Sequence, residues 1–274
     1  MVLLICVVDI NTIDLIYKQL LKQGFQETQI VNMREYFFRV PLSYLETNIE
    51  EYKKAYELLE EEFSKRVYLA RMKRAFIVSK MADVVSPEEE QYFDRKVELT
   101  DTEVFIDCGG FDGDTSAKFL EKCQGKYKEL VIFEPELCKK ALIEESMAGQ
   151  QYKLYQKGVW SESTQLYFYA TGTASSFVME KESEYSIDVV SLDETVYDKK
   201  PTFIKMDIEG SEQEAIIGAE KIIRNYKPKL AVCVYHKPDD LFKLPLMIKK
   251  MNPSYHFYMR QYSDSKTETV LYAL

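Results

Sequence analysis

Residues 104–115 read Val-Phe-Ile-Asp-Cys-Gly-Gly-Phe-Asp-Gly-Asp-Thr, and one helix length later comes Val131-Ile132-Phe133-Glu134-Pro135. No other stretch limits the fold so strongly. An unbroken apolar run that ends in an acid suits a strand buried on both faces, as in a parallel sheet. A glycine loop, a helix and a second buried strand ending in another acid complete one strand–helix–strand unit. Such sheets bind ligands beyond the carboxyl ends of their strands. Gly109, Gly110 and Gly113 let the backbone turn sharply and come close to a ligand. Glu134, at a strand tip, stands where an acid accepts hydrogen bonds from both hydroxyls of a ribose. The unit therefore predicts a nucleoside-containing ligand.

The spacing narrows the choice. A dinucleotide fingerprint needs G-x-G-x-x-G, so that a helix N-terminus faces a pyrophosphate. Here the order is Asp107-x-Gly109-x-x-x-Gly113, with Asp112 and Asp114 inside the loop. Three carboxylates would repel a pyrophosphate but suit a sulfonium and an ammonium group, as in S-adenosyl-L-methionine. The plainer alternative is a tight strand-to-helix turn with Glu134 as a solvated strand end.

At 274 residues, with 46% hydrophobic and 30% charged residues, the chain has the makings of an ordinary globular core. Its net charge of −9 argues against a nucleic-acid or anionic-membrane surface. Five cysteines without a C-x-x-C pair predict reduced thiols and a cytoplasmic protein. Cys6, Cys108, Cys138 and Cys233 are expected in or near the core, and Cys123 nearer the surface. The opening run is broken by Asp9 and is too short for a membrane span.

Three regions separate. Residues 1–46 read as strand, helix, strand: either the remnant of a truncated N-terminal domain or an edge addition to the main sheet. Residues 47–95 read as a charged helical extension. Its stripe of Ile49, Tyr52, Tyr56, Leu59 and Phe63 packs on its own domain or on a second subunit, and Ser64 is the expected cap of a second helix. Residues 96–274 alternate strand and helix, predicting strands at 103–107, 129–133, 152–157, 203–207 and 229–235. Helices are expected at 115–124, 136–146, 212–224 and 239–251, and a small β insertion between Leu166 and Val190. Tyr255–Tyr262 and Thr269–Leu274 alternate around a polar turn and predict a closing antiparallel hairpin.

A second block, Phe203-Ile204-Lys205-Met206-Asp207-Ile208-Glu209-Gly210-Ser211-Glu212, delivers Asp207 and Glu209 to the same sheet edge. Helix capping is the plainer use for both. His236 follows the strand ending at Tyr235 and falls on that edge too, whereas His256 sits inside the hairpin. We expect His236 to be the base for an acceptor hydroxyl, with Asp207 or Glu209 orienting it. These three would also be the set to supply a metal, but no metal is expected.

Phe105-Ile106-Asp107-Cys108-Gly109-Gly110-Phe111-Asp112-Gly113-Asp114-Thr115, Phe133-Glu134-Pro135, Ile204–Glu212, Tyr235-His236 and residues 255–274 together resemble the FkbM family of S-adenosylmethionine-dependent methyltransferases. Gln91-Tyr92-Phe93-Asp94 resembles that family as well. The resemblance covers about the last two thirds of the chain. It implies a class I, Rossmann-like α/β fold and O-methylation of a hydroxyl on a sugar, glycan or natural product. It places Asp107, Gly109, Gly110, Phe111, Asp112, Gly113, Thr115, Glu134, Pro135 and Gly158 at the cofactor, with Gln91, Tyr92 and Asp207. Gly110 stands where relatives often carry alanine, a change expected to be mild. Two rivals stay open: a non-catalytic cofactor-binding or assembly module on the same fold, and an NAD-dependent oxidoreductase.

Overall fold

A computed structural model describes residues 3–5, 10–26, 29–32, 40–76, 81–169, 177–179, 186–265 and 267–274. Strand β1 (Leu3–Ile5), helix α1 (Ile10–Lys22) and strand β2 (Ile30–Asn32) come first. Among the described residues β1 and β2 pair only with each other, in parallel. They are not an edge of the main sheet. Ile5, Ile16, Tyr17, Leu20, Phe25 and Ile30 form a small apolar cluster of their own.

Helices α2 (Leu42–Glu57) and α3 (Glu62–Phe76) carry the charged extension. Then follow β3 (Val104–Cys108), α4 (Asp114–Lys122), β4 (Glu129–Phe133), α5 (Lys140–Ser146) and β5 (Lys153–Tyr155). The insertion holds β6 (Gly158–Val159), β7 (Thr164–Tyr169), β8 (Phe177–Met179) and β9 (Ser186–Val190), with α6 (Leu192–Thr195) after it. The chain closes with β10 (Phe203–Met206), α7 (Glu212–Ile217), α8 (Glu220–Tyr226), β11 (Lys229–Cys233), α9 (Asp240–Met251), β12 (Phe257–Gln261) and β13 (Thr269–Ala273).

Seven strands form one sheet in the order β12-β13-β11-β10-β3-β4-β5. From β11 to β5 the neighbours run parallel, while β13 is antiparallel to both β11 and β12. The expected hairpin is therefore present. The strand order reverses between β3 and β10, and a crevice opens beyond their carboxyl ends. The insertion forms a separate four-stranded sheet, β6-β9-β7-β8; its expected stretches around 170–176 and 180–185 lie outside the described residues.

Alternation along β3 explains why both faces of the sheet are covered. Val104, Ile106 and Cys108 enter one apolar cluster with α2, α3 and α9, while Phe105 enters the other with Phe93, Phe119 and Phe203. The helix expected over 212–224 is broken into two. At Gly218 a Cβ would lie 2.0 Å from the Trp160 carbonyl oxygen, so the turn between α7 and α8 is packed against backbone. The helix expected from 136 opens as a 3₁₀ turn, Leu137–Lys139, before α5.

The helical stripe is used within the chain. Tyr52 is buried, meets Phe242 of α9 edge-on at 4.7 Å and donates to the Pro238 carbonyl. At Tyr52 the stripe therefore packs on its own domain. Ser64 lies inside α3 rather than capping it, and its hydroxyl accepts from the Met259 N–H and from Arg260. Two cysteine expectations are reversed: Cys138 is exposed and Cys123 buried, while Cys6 lies outside the described residues.

Candidate active site

The crevice at the strand reversal is a cleft. Its floor is the β3–α4 loop with Gly109 and Phe111, followed by Asp114 and Thr115. One wall is Phe133, Glu134, Pro135 and Glu136 after β4. Lys205, Asp207, Ile208, Glu209 and Ser211 form the opposite wall, after β10. Gln91, Tyr92, Lys157, Gly158, Val159, Ile187 and Glu268 close the sides. Of the expected cofactor residues, Gln91, Tyr92, Gly109, Phe111, Thr115, Glu134, Pro135, Gly158 and Asp207 meet here. The lining holds six carboxylates (Asp114, Glu134, Glu136, Asp207, Glu209, Glu268) against two lysines (Lys157, Lys205), so it favours a cationic guest over a pyrophosphate.

Four of the expected cofactor residues do not line the cleft. Asp107 is fully buried, accepts from the Ser116 hydroxyl at 2.7 Å and lies 3.1 Å from the Lys205 ammonium. Lys205, itself 2% exposed, also donates to the Gly109 carbonyl at 2.7 Å. Burial opposes charge on Lys205, but Asp107 and Asp207 hold its pKa above the usual lysine range. Asp107 thus braces the loop from beneath through Lys205, which also lines the cleft. Gly110 faces Ile132, whose Cγ2 would be 2.3 Å from an added Cβ, so alanine is not a mild change here. Gly113 opens α4 in the left-handed region (φ 87) against Ser146. Asp112 stays local, accepting from the Asp114 N–H.

Gly109 is the position where glycine is required. Its φ is 87, and a Cβ would sit 1.9 Å from the Asp207 carbonyl oxygen, backbone against backbone. Glu134 is 7% exposed. Its two oxygens accept from the Phe111 and Glu136 N–H groups, both at 2.9 Å. That fixes the carboxylate and leaves lone pairs free for two further donors. Burial raises its pKa despite these bonds.

The Gln91–Asp94 segment spans the site. Gln91 donates to Glu268 at 2.6 Å, and Tyr92 donates to Asp207 at 2.6 Å. Phe93 packs among Phe105, Phe119 and Phe203. Asp94 accepts from buried Arg260 of β12 at 2.8 Å. Lys205, Glu268 and Glu212 were not foreseen as site residues. Lys205 alone left a signal: a lysine inside a buried strand needs an anionic partner.

His236 does not line the cleft. It sits behind Asp207 and Glu209, its side chain 9% exposed, with Nε2 3.5 Å from Asp207 Oδ1 and 3.4 Å from Glu209 Oε2. Nδ1 lies 2.9 Å from Oε1 of buried Glu212. Burial works against a charged ring, but Glu212, Asp207 and Glu209 prevail and push the His236 pKa up to about 10. The ring thus faces three acids from behind the cleft wall. Burial pushes Glu209 up to about 7, with Asp207, Glu212 and Glu268 adding to it against His236.

The FkbM methyltransferase domain model matches residues 107–267, more than half of the chain. The chain belongs to the FkbM methyltransferase family. Methyltransferase FkbM from Methylobacillus flagellatus KT superimposes with a TM-score of 0.76 at 21% identity, covering 99% of this chain and 73% of that one. Precorrin-6y C5,15-methyltransferase from Geobacter metallireducens GS-15 gives 0.43 at 10% identity, over 70% and 94% of the two chains. Aeropyrum pernix fibrillarin, solved with natively bound S-adenosyl-L-methionine, gives 0.41 at 10%, over 65% and 70%. No curated protein matches the chain. The FkbM chain thus has the class I methyltransferase fold, with a seven-stranded sheet closed by a hairpin. Among its described residues, no helix is long and apolar enough to cross a membrane.

Proposed function

We propose that this FkbM protein binds S-adenosyl-L-methionine and methylates a hydroxyl on a sugar, glycan or natural product in the cytoplasm. Residues 96–274 would form the catalytic domain, residues 47–95 an extension that supports it. The observation that carries this reading is the acid-rich cleft at the strand reversal, with Glu134 fixed at its tip. The residues fit the cofactor. Glu134 retains acceptor capacity for a ribose, and the net negative lining suits a sulfonium and an ammonium.

When bound, the cofactor supplies an electrophilic methyl group. The chain's own residues do the rest. Lys205 and Asp107 hold the Gly109 loop in place, and Gln91 and Tyr92 tie the loop before β3 to Glu268 and Asp207. Fixing an acceptor oxygen at near-attack distance is worth up to ~7–11 kcal/mol. A hydroxyl must also lose its proton, and the Asp207–Glu209–His236 cluster would be the place for that step. The acid-rich lining disfavours the oxidoreductase rival. NADH and S-adenosyl-L-methionine compared by thermal shift, followed by mass-detected methyl transfer to nucleotide sugars and glycans, test the reading.

Glu134→Ala should weaken S-adenosyl-L-methionine in calorimetry by about ten- to hundredfold, because charge-assisted hydrogen bonds are worth ~1.5–3 kcal/mol. Unchanged affinity would remove Glu134 from the cofactor site.

A further inference from the structure

We propose that Asp207, Glu209 and His236 bind one first-row divalent transition ion, which activates the acceptor hydroxyl for methyl transfer. The activating role rests on the function proposed above; the ion site does not.

Three donor atoms, one from each side chain, lie within 4.8 Å of one another. Nε2 of His236 is nearly equidistant from the two carboxylate oxygens, at 3.5 and 3.4 Å. Donors around 2.1 Å from a shared ion stand about 3–3.5 Å apart in tetrahedral or octahedral geometry, so both histidine–carboxylate spacings suit a shared ion. The imidazole is nine-tenths buried, and its Nε2 completes no hydrogen bond although it points between two acids. A charged ring acting only as counter-ion would aim an N–H at one oxygen.

Nδ1 completes no hydrogen bond either, but it lies 2.9 Å from a carboxylate oxygen on the other side of the ring. Nδ1 faces Glu212, a fully buried carboxylate whose Oε1 accepts from the Ile208 N–H at 3.0 Å. A carboxylate behind a ligating histidine orients the ring and frees the far nitrogen for the metal. Glu209 holds φ 54, a left-handed conformation that costs a non-glycine residue about 1–3 kcal/mol. One nitrogen with two carboxylates favours manganese, iron, cobalt or zinc over magnesium or calcium, which prefer all-oxygen sets.

Asp207 and Glu209 line the cleft and His236 lies behind them, so the remaining coordination positions open toward an acceptor. Coordination lowers the pKa of a bound hydroxyl. The acceptor proton leaves to solvent at the mouth of the cleft. The O–CH₃ bond forms as the S–CH₃ bond breaks, and S-adenosylhomocysteine departs as a neutral thioether.

The test is a Mn²⁺ titration of the full chain followed by electron paramagnetic resonance, with cofactor affinity measured by calorimetry on the same protein. The expected result is one Mn²⁺ per chain. Glu212→Gln should raise the Mn²⁺ dissociation constant about ten- to hundredfold, and the double variant Glu209→Gln/His236→Gln should abolish the bound signal. Either no Mn²⁺ binding to the unmodified chain or equal binding to the double variant overturns the proposal. Cofactor binding without Mn²⁺ binding would sink the ion site and leave the methyltransferase reading standing. Mn²⁺ binding without cofactor binding would do the reverse.

Discussion

Lys205→Met tests whether the buried pair under the loop holds the site together. Methionine keeps much of the stem and removes the ammonium. Asp107, fully buried, would then keep only the Ser116 hydroxyl, and the Gly109 carbonyl would lose its donor. Breaking a buried ion pair by deleting one partner costs about 3–5 kcal/mol, because a charge is stranded. Each kcal/mol lowers Tm by roughly 2–4 °C in a protein of about this size, so the midpoint should fall by about 6–20 °C. Adding Asp107→Asn removes the stranded charge and should restore at least half of that loss, giving a coupling far outside additivity. Calorimetric unfolding of wild type, both single variants and the double variant measures it. Cofactor affinity should drop in Lys205→Met at temperatures where the protein is folded, since Gly109 is released. A fall in Tm of under about 2 °C, or a double variant no better than Lys205→Met, would refute the bracing role.

Gly109→Ala should be worse for binding than for folding. The added Cβ meets the Asp207 carbonyl at 1.9 Å from a left-handed backbone, so the loop must move off β10. We expect cofactor binding to be lost while the protein still folds; calorimetric affinity equal to wild type would show that the loop can absorb the methyl. A third prediction concerns acid stability. Burial opposes the charge on Glu103, but hydrogen bonds from Lys229 and Thr202 prevail and hold its pKa below the ordinary value of 4.5. A depressed carboxylate stabilises the fold above its unfolded pKa and loses that contribution as pH falls through the folded one. Wild type should therefore lose stability below about pH 4.5 more steeply than Glu103→Gln. Parallel Tm–pH curves in urea would contradict this.

How much of the site was legible follows from what a linear sequence can encode. The apolar runs ending in acids, the glycine loop and the alternating C-terminal segments placed the sheet, its strand reversal and the hairpin, because period and turn chemistry are local. Glu134 and Asp207 were legible as acids at strand tips. Asp107 obeys strand parity rather than the strand-tip rule: two residues on from Phe105, it shares that side chain's face and turns into the layer between sheet and helix. The same parity points to its partner. In the β3–β10 register Lys205 stands opposite Asp107, and a lysine in an otherwise apolar buried strand has to be neutralised by something close. Glu268 and Glu212 carried no such signal. Glu268 reaches the cleft only because β13 folds back beside β11, and Glu212 read as an ordinary first-turn helix acid. His236 shows the same limit in the other direction. Its place on the sheet edge could be read, but its depth behind Asp207 and Glu209 is set by three elements converging on one ring, and no local pattern encodes that depth.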